Sequence, residues 1–191
     1  MSVPVLRSAH VYPVKSLAAR ACDTVAVEPW GLDGDRRWML VDKAARAVTQ
    51  RQQPSLARIA AEPLPGGGVL LSAPGFPALR VEGPESGRML TVELHRDTVV
   101  LEEAPGDAHD WLSAVLGTEV QLVHLDEPSH RRPVDPLFAR PGDMVSLADG
   151  YPLLTLARHR RFGKQLVFGQ NLIPEGTGVI RVGDPVRILD R

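Results

Sequence analysis

The sequence predicts a mainly β protein: an N-terminal β-barrel-like domain with one main helix, followed by a shortened β-rich region. Three observations point there. Glycine and proline, 17 of each among 191 residues, punctuate the chain from end to end. Between them sit short runs rich in Val and Leu, the pattern of strands separated by turns. One segment stands out as helical by its period. The 191 residues, 43% of them apolar, are enough for one large domain or two small ones.

Taken in order, strands are expected at 3–6, 24–27, 38–41, 47–50, 57–61, 69–72, 78–82, 90–94, 98–101 and 120–124. Strands 38–41 and 47–50 flank the polar turn 42–46 and read as a hairpin, and Gly66-Gly67-Gly68 feeds the strand that starts at Val69. In 107–117, Ala108, Trp111, Leu112, Val115 and Leu116 recur at helical spacing, so this segment is the helix, its Trp111 face against a sheet. Asp107 is the expected N-cap, and Gly117 the residue that stops it.

A boundary is placed near 125, giving two expected domains, 1–124 and 125–191. Past it come a proline- and arginine-rich connector at 128–140, a strand at 144–147 and a basic stretch at 158–164. A strand at 166–168 and a final pair at 179–182 and 186–189 follow, the pair joined by the turn Gly183-Asp184-Pro185.

Charge and cysteine usage exclude several function classes. A net charge of −1, from 22 basic and 23 acidic residues, argues against bulk nucleic acid as a partner. Lysine occurs only at Lys15, Lys43 and Lys164, the rest of the basic residues being arginine, which draws attention to Lys15. Cys22 is the sole cysteine, so an internal disulfide, an iron–sulfur cluster and a zinc ribbon are all excluded. The histidines show no paired ligand spacing. The start of the chain has no charged segment followed by an apolar one, and no stretch reaches the length of a membrane span. The expectation is a cytoplasmic protein without a membrane partner.

Two constellations carry chemistry. In Tyr12-Pro13-Val14-Lys15-Ser16, proline restricts the backbone on the approach and an ammonium and a hydroxyl follow side by side. In Gly34-Asp35-Arg36-Arg37-Trp38, an arginine pair stands at the entrance of a strand. If the two strands lie close, Lys15, Ser16 and one arginine converge, and a point charge, a hydroxyl donor and a guanidinium fork are groups that bind a phosphate dianion. Neither segment is a glycine-rich phosphate loop. By composition alone such pairs beside turns are more often simply solvated.

The order of motifs adds a resemblance. Tyr12–Ser16, then residues 31–38, then Thr49-Gln50-Arg51-Gln52-Gln53-Pro54 resemble the N-terminal β-barrel domain that precedes a MOSC domain. Ala148-Asp149-Gly150-Tyr151-Pro152, Phe168-Gly169-Gln170-Asn171 and Val182-Gly183-Asp184-Pro185-Val186 resemble segments of the MOSC domain itself. Relatives include the amidoxime-reducing component, other reductases of N-hydroxylated compounds and, more distantly, the C-terminal domains of molybdenum cofactor sulfurases. The resemblance implies molybdenum cofactor binding, with Lys15, Ser16 and Arg36 on the molybdopterin phosphate and Arg51 bordering it. It does not carry over to Arg37.

The chain departs from the family between Leu154 and Thr155, where relatives have a long block with the cysteine that ligates molybdenum. A thiolate is the soft ligand that such a metal takes. Cys22 does not match that position, so the expected metal ligands and catalytic residues are none, and enzymatic activity is left open. The alternatives are a non-catalytic pterin- or anion-binding module, or a structural partner subunit. A redox partner protein and an unidentified small-molecule substrate are implied by the family. Strand edges left bare near 166–168 give the expectation of a homo-oligomer.

Overall fold

The computed structural model describes residues 3–94, 97–126, 147, 161–162, 165–166 and 174–187. Its elements in chain order are β1 (Ala9–Val11), β2 (Arg20–Cys22), β3 (Thr24–Glu28), β4 (Gly31–Leu32), β5 (Trp38–Val41), β6 (Ala60–Pro63) and β7 (Val69–Ser72). There follow β8 (Leu79–Val81), β9 (Met89–Leu94), β10 (Asp97–Glu103), α1 (Gly106–Leu116), β11 (Gln121–His124), β12 (Arg161–Phe162), β13 (Gln165–Leu166) and β14 (Gly178–Arg181). The protein is mainly β with one α-helix among the described residues.

The largest sheet is antiparallel, in the order β5-β11-β10-β9. Its strand β5 is buried along its whole length, Trp38 to Val41. Because side chains alternate across a strand, such a run faces two cores at once. Trp38 and Leu40 join one cluster with Leu56, Ile59, Leu71 and the helix residues Ala108, Leu112 and Leu116. Met39 and Val41 join the other with Val92, Leu94, Leu101 and Val123. The sheet β6-β7-β8 supplies further residues of the first core.

The helix covers the first core with Ala108, Leu112 and Leu116, while Trp111 lies at the side of that face. Trp111 Nε1 donates to the Pro77 carbonyl at 2.8 Å, and its ring meets Phe76 edge-on at 6.1 Å. Gly117 ends the helix in the left-handed region at φ 66°, as expected of a residue without a Cβ. Asp107 is not the N-cap. The helix is entered through Pro105 with no side-chain cap, and the Asp107 carboxylate accepts from the Ala108 amide one residue on.

Several expected strands are corrected. Segment 3–6 is not a strand but an arm tied to 183–186 by a single bridge, Val5 to Pro185, and by main-chain hydrogen bonds at Leu6 and Pro4. Segment 47–50 is a return arm tied by single bridges, Val41 to Ala47 and Arg46 to Glu93, and by the Val48 amide on the Leu40 carbonyl at 2.9 Å. The turn before it is organised by Asp42, whose Oδ1 accepts from the amides of Ala44 and Arg46. Segment 57–61 begins as a 3-10 turn, Pro54–Arg58, because Pro54 at its first turn presets a helical φ; extended pairing starts only at Ala60. Strands β1 and β2 are three residues each and contain Ala, His and Arg, weak strand formers that gave no signal.

The last strand folds back on the beginning of the chain: β14 pairs with β3, and Leu6 donates to Asp184 O at 2.9 Å. Of the final expected pair, 179–182 corresponds to β14, Val186 and Arg187 are not in a strand, and 188–189 lie outside the described residues; Pro185, in the turn between them, forms a bridge to Val5. So do the connector 128–140, the motifs at 148–152 and 168–171, and all of the strand expected at 144–147 except Leu147.

The glycine turn 66–68 has a packing reason beyond its conformations. A Cβ placed on Gly83 would collide with the Gly66 carbonyl oxygen, a main-chain atom that cannot swing aside. Gly83→Ala is therefore expected to destabilise the fold by about 1–3 kcal/mol, as overpacking does. Urea unfolding followed by circular dichroism reads this as a lower midpoint at unchanged slope.

Candidate functional site

The two sequence constellations meet through main-chain hydrogen bonds. Val14 forms a parallel bridge with Trp38, the Lys15 amide donates to Trp38 O at 2.8 Å, and the Trp38 amide donates to Pro13 O at 3.1 Å. One residue earlier, the Arg36 amide donates to Tyr12 O at 2.7 Å. The 12–16 arm is thus stitched along the entrance of β5, whose own position is set by burial in two cores.

A hollow of about 310 Å³ opens beside this stitch, lined by Tyr12, Ser16, Leu17, Arg36, Thr49, Gln50 and Arg51. A third arm completes it: Gln50 Nε2 donates to the Ser16 carbonyl at 2.8 Å, tying the 49–51 segment to the turn after Lys15. The volume lies near the lower end of small-molecule sites, enough for a phosphate and part of the group that carries it.

The backbone is strained where it serves this hollow. Ser16 at φ 68° and Arg36 at φ 51° are two of the three non-glycine residues with positive φ among the described residues, the third being Ala45 in a hairpin turn. Left-handed backbone costs an ordinary residue about 1–2 kcal/mol. At Arg36 it is held by the bond to Tyr12 O and by the Leu147 amide, which donates to Arg36 O at 3.1 Å. Strain of this kind persists where surrounding structure over-determines it, and it concentrates at functional sites.

Asp35 organises the charges. It is 8% exposed. Its Oδ1 accepts from the Tyr12 amide at 2.8 Å and its Oδ2 from Arg36 Nη1 at 2.9 Å. The Arg36 guanidinium also stacks on the Tyr12 ring, with its carbon 5.4 Å from the centroid. Burial raises the Asp35 pKa, against the opposing pull of Arg36, the Tyr12 amide and Lys15.

Of the residues expected at the site, the hollow brings together Ser16, Arg36 and Arg51. Lys15 is not among its lining residues: its side chain is buried, 1% exposed, and its charge acts on Asp35. Arg37 is directed elsewhere, donating to the carbonyls of Leu125 and Asp126 and stacking over Trp30. Sequence reasoning missed Asp35, Tyr12 and Gln50 as parts of the site. The side chain of Cys22 packs beside Ala9, Val11 and Val25 and does not line the hollow. No group of three or more His, Cys, Asp or Glu that could hold a metal occurs among the described residues. None of the helices described is long and apolar enough to cross a membrane.

Fold and site together define a small β-rich domain whose N-terminal arms frame an arginine-lined hollow. The family profile of the MOSC N-terminal beta barrel domain matches residues 3–119, and the chain belongs to that family. It is 24% identical over 168 residues to mitochondrial amidoxime-reducing component 1 of Xenopus laevis, covering 81% of this chain and 48% of that protein. It is 26% identical over 188 residues to the Mus musculus protein of the same name, covering 88% of this chain and 55% of that one. The chain therefore spans about half the length of these curated relatives. A Bordetella bronchiseptica protein solved in solution is similar over 52% of this chain and 87% of its own, at 19% identity and a TM-score of 0.42.

Proposed function

We propose that this protein binds the molybdenum cofactor by the phosphate of its molybdopterin, with Ser16, Arg36 and Arg51 contacting the phosphate and Lys15 contributing charge from the wall behind. The observation that carries the reading is the hollow itself: a serine and two arginines drawn from three separate segments line one opening. That donor set suits a phosphate dianion, since a guanidinium gives paired charge-assisted hydrogen bonds in a fixed fork. Membership of the MOSC N-terminal family and similarity to amidoxime-reducing component 1 support the choice of cofactor. When bound, the cofactor would bring a redox-active metal. The contribution of this chain is to hold and orient the phosphate end. On this reading Cys22 is not the metal's thiolate ligand, and its packing between β1 and β3 supports that.

The test is titration of the full chain with inorganic phosphate, followed by calorimetry or NMR. Arg36→Ala is expected to weaken binding by about 10- to 100-fold, the worth of a hydrogen bond to a charged group. Added salt should weaken the unaltered chain further. Equal affinity for phosphate in Arg36→Ala would remove the proposal.

A further inference from the structure

We infer that Asp35 is the positioning residue of the hollow: its carboxylate fixes the Arg36 guanidinium and the Tyr12 main chain so that Arg36 offers its remaining N–H groups to a bound oxyanion. This rests on the phosphate-binding reading above and assigns a role that the reading leaves unfilled.

The geometry forms a closed circuit. Asp35 Oδ1 holds the Tyr12 amide, the Tyr12 carbonyl holds the Arg36 amide, and Arg36 Nη1 returns to Asp35 Oδ2. The Tyr12 ring stacks on the guanidinium as well. A guanidinium has five N–H donors, so one can be spent on Asp35 while others stay free for a ligand. An arginine fixed at both its backbone and its head loses less entropy on binding an anion than one that is solvated.

Two further considerations separate positioning from mere stability. Burial raises the Asp35 pKa despite Arg36, the Tyr12 amide and Lys15, the groups that act on it. The stability this group contributes is therefore present below its ordinary pKa and is lost as pH rises through the raised value. The carboxylate is thus held in the wall of the hollow against the cost of its burial, which its bonds to the Tyr12 amide and Arg36 oppose. Electrostatics alone also argues against an acid here, because a carboxylate beside an anion site repels the ligand. If charge balance were the whole story, removing the carboxylate would tighten binding. Positioning requires the reverse.

The experiment titrates the full chain with inorganic sulfate, which stays dianionic across the range used. Asp35→Asn is expected to bind sulfate about 3- to 10-fold more weakly at neutral pH, the loss of one charged hydrogen bond's alignment. The unaltered chain should lose sulfate affinity as acid titrates Asp35, and Asp35→Asn should not show that loss. Asp35→Glu keeps the charge but moves the oxygens by one methylene, so it too should bind more weakly. Equal or tighter binding by Asp35→Asn, or a variant that does not fold, overturns the inference. If Arg36→Ala also leaves sulfate binding unchanged, the phosphate reading fails with it. If Arg36→Ala weakens binding and Asp35→Asn does not, only the role of Asp35 fails.

Discussion

Trp38→Ala is expected to cost about 3–5 kcal/mol of folding free energy, the usual penalty for deleting a buried aromatic side chain. Trp38 is 1% exposed and packs into the core that α1 covers. Its indole Nε1 donates to Gly67 O at 3.0 Å, so truncation also strips a partner from the glycine turn. The consequence should reach the hollow. The 12–16 arm hangs on the main chain of Trp38 through Lys15 and Pro13, and a collapsed β5 entrance would no longer hold Arg36 in its strained conformation. Chemical denaturation followed by circular dichroism measures the first effect, and phosphate titration at a temperature where the variant is folded measures the second. Trp38→Phe keeps much of the packing and loses the indole donor, so it should fall between. A loss under about 1 kcal/mol for Trp38→Ala would show that the cavity collapses or that the core is not closed around this ring.

The second large effect is an acid sensitivity centred on His124. This residue ends β11, is 6% exposed and lies with its ring 4.4 Å from that of Trp38. Neither ring nitrogen has a hydrogen-bond partner. Burial lowers its pKa from 6.5 to about 4, helped by the positive charge of Arg37 and opposed by Asp126. The folded protein therefore prefers the neutral ring. Its stabilising contribution is complete above 6.5 and is lost as pH falls from there toward about 4, because only the unfolded chain takes up the proton in that window. The full loss is about 3 kcal/mol at 1.36 kcal/mol per unit. His124→Phe should remove this part of the pH dependence and leave stability at neutral pH equal or higher, since two unpaired buried nitrogens disappear. Unfolding midpoints measured across that window decide it: identical slopes in the two proteins would exclude a buried neutral histidine as the cause. Asp35 works in the opposite direction, because its raised pKa favours the folded state as pH falls.

Much of the fold was legible in the sequence. The runs at 38–41 and 69–72 became β5 and β7 with the expected bounds, and Gly117 stops α1 where the period stops. Those signals are local: apolar content, period and residues with special backbone freedom. Short strands were illegible for the same reason. Ala9–Val11 and Arg20–Cys22 are strands because they pair with each other, not because their residues prefer extension. Conversely 47–50 looks extended, yet it is held by single bridges and bends toward Ser16 through Gln50.

The candidate site divides along the same line. The sequence by itself singled out Lys15, Ser16 and one arginine by donor chemistry, and the resemblance in motif order narrowed the arginine to Arg36 and added Arg51. Tertiary structure alone decided that Ser16, Arg36 and Arg51 line one hollow and that Lys15 does not, while Arg37, which the resemblance had already left out, reaches elsewhere. Lys15 and Ser16 are neighbours in the chain, but the left-handed turn at Ser16 leaves only Ser16 at the opening. Arg36 and Arg37 are also neighbours, and successive residues entering a strand point to opposite sides. Arg36 faces Tyr12 and Asp35, while Arg37 reaches across to carbonyls 88 and 89 residues away, at Leu125 and Asp126. The residue types were therefore visible in one dimension. Which of them share a face depended on hydrogen bonds between segments far apart in the chain, and those bonds exist only once β5 is buried between its two cores.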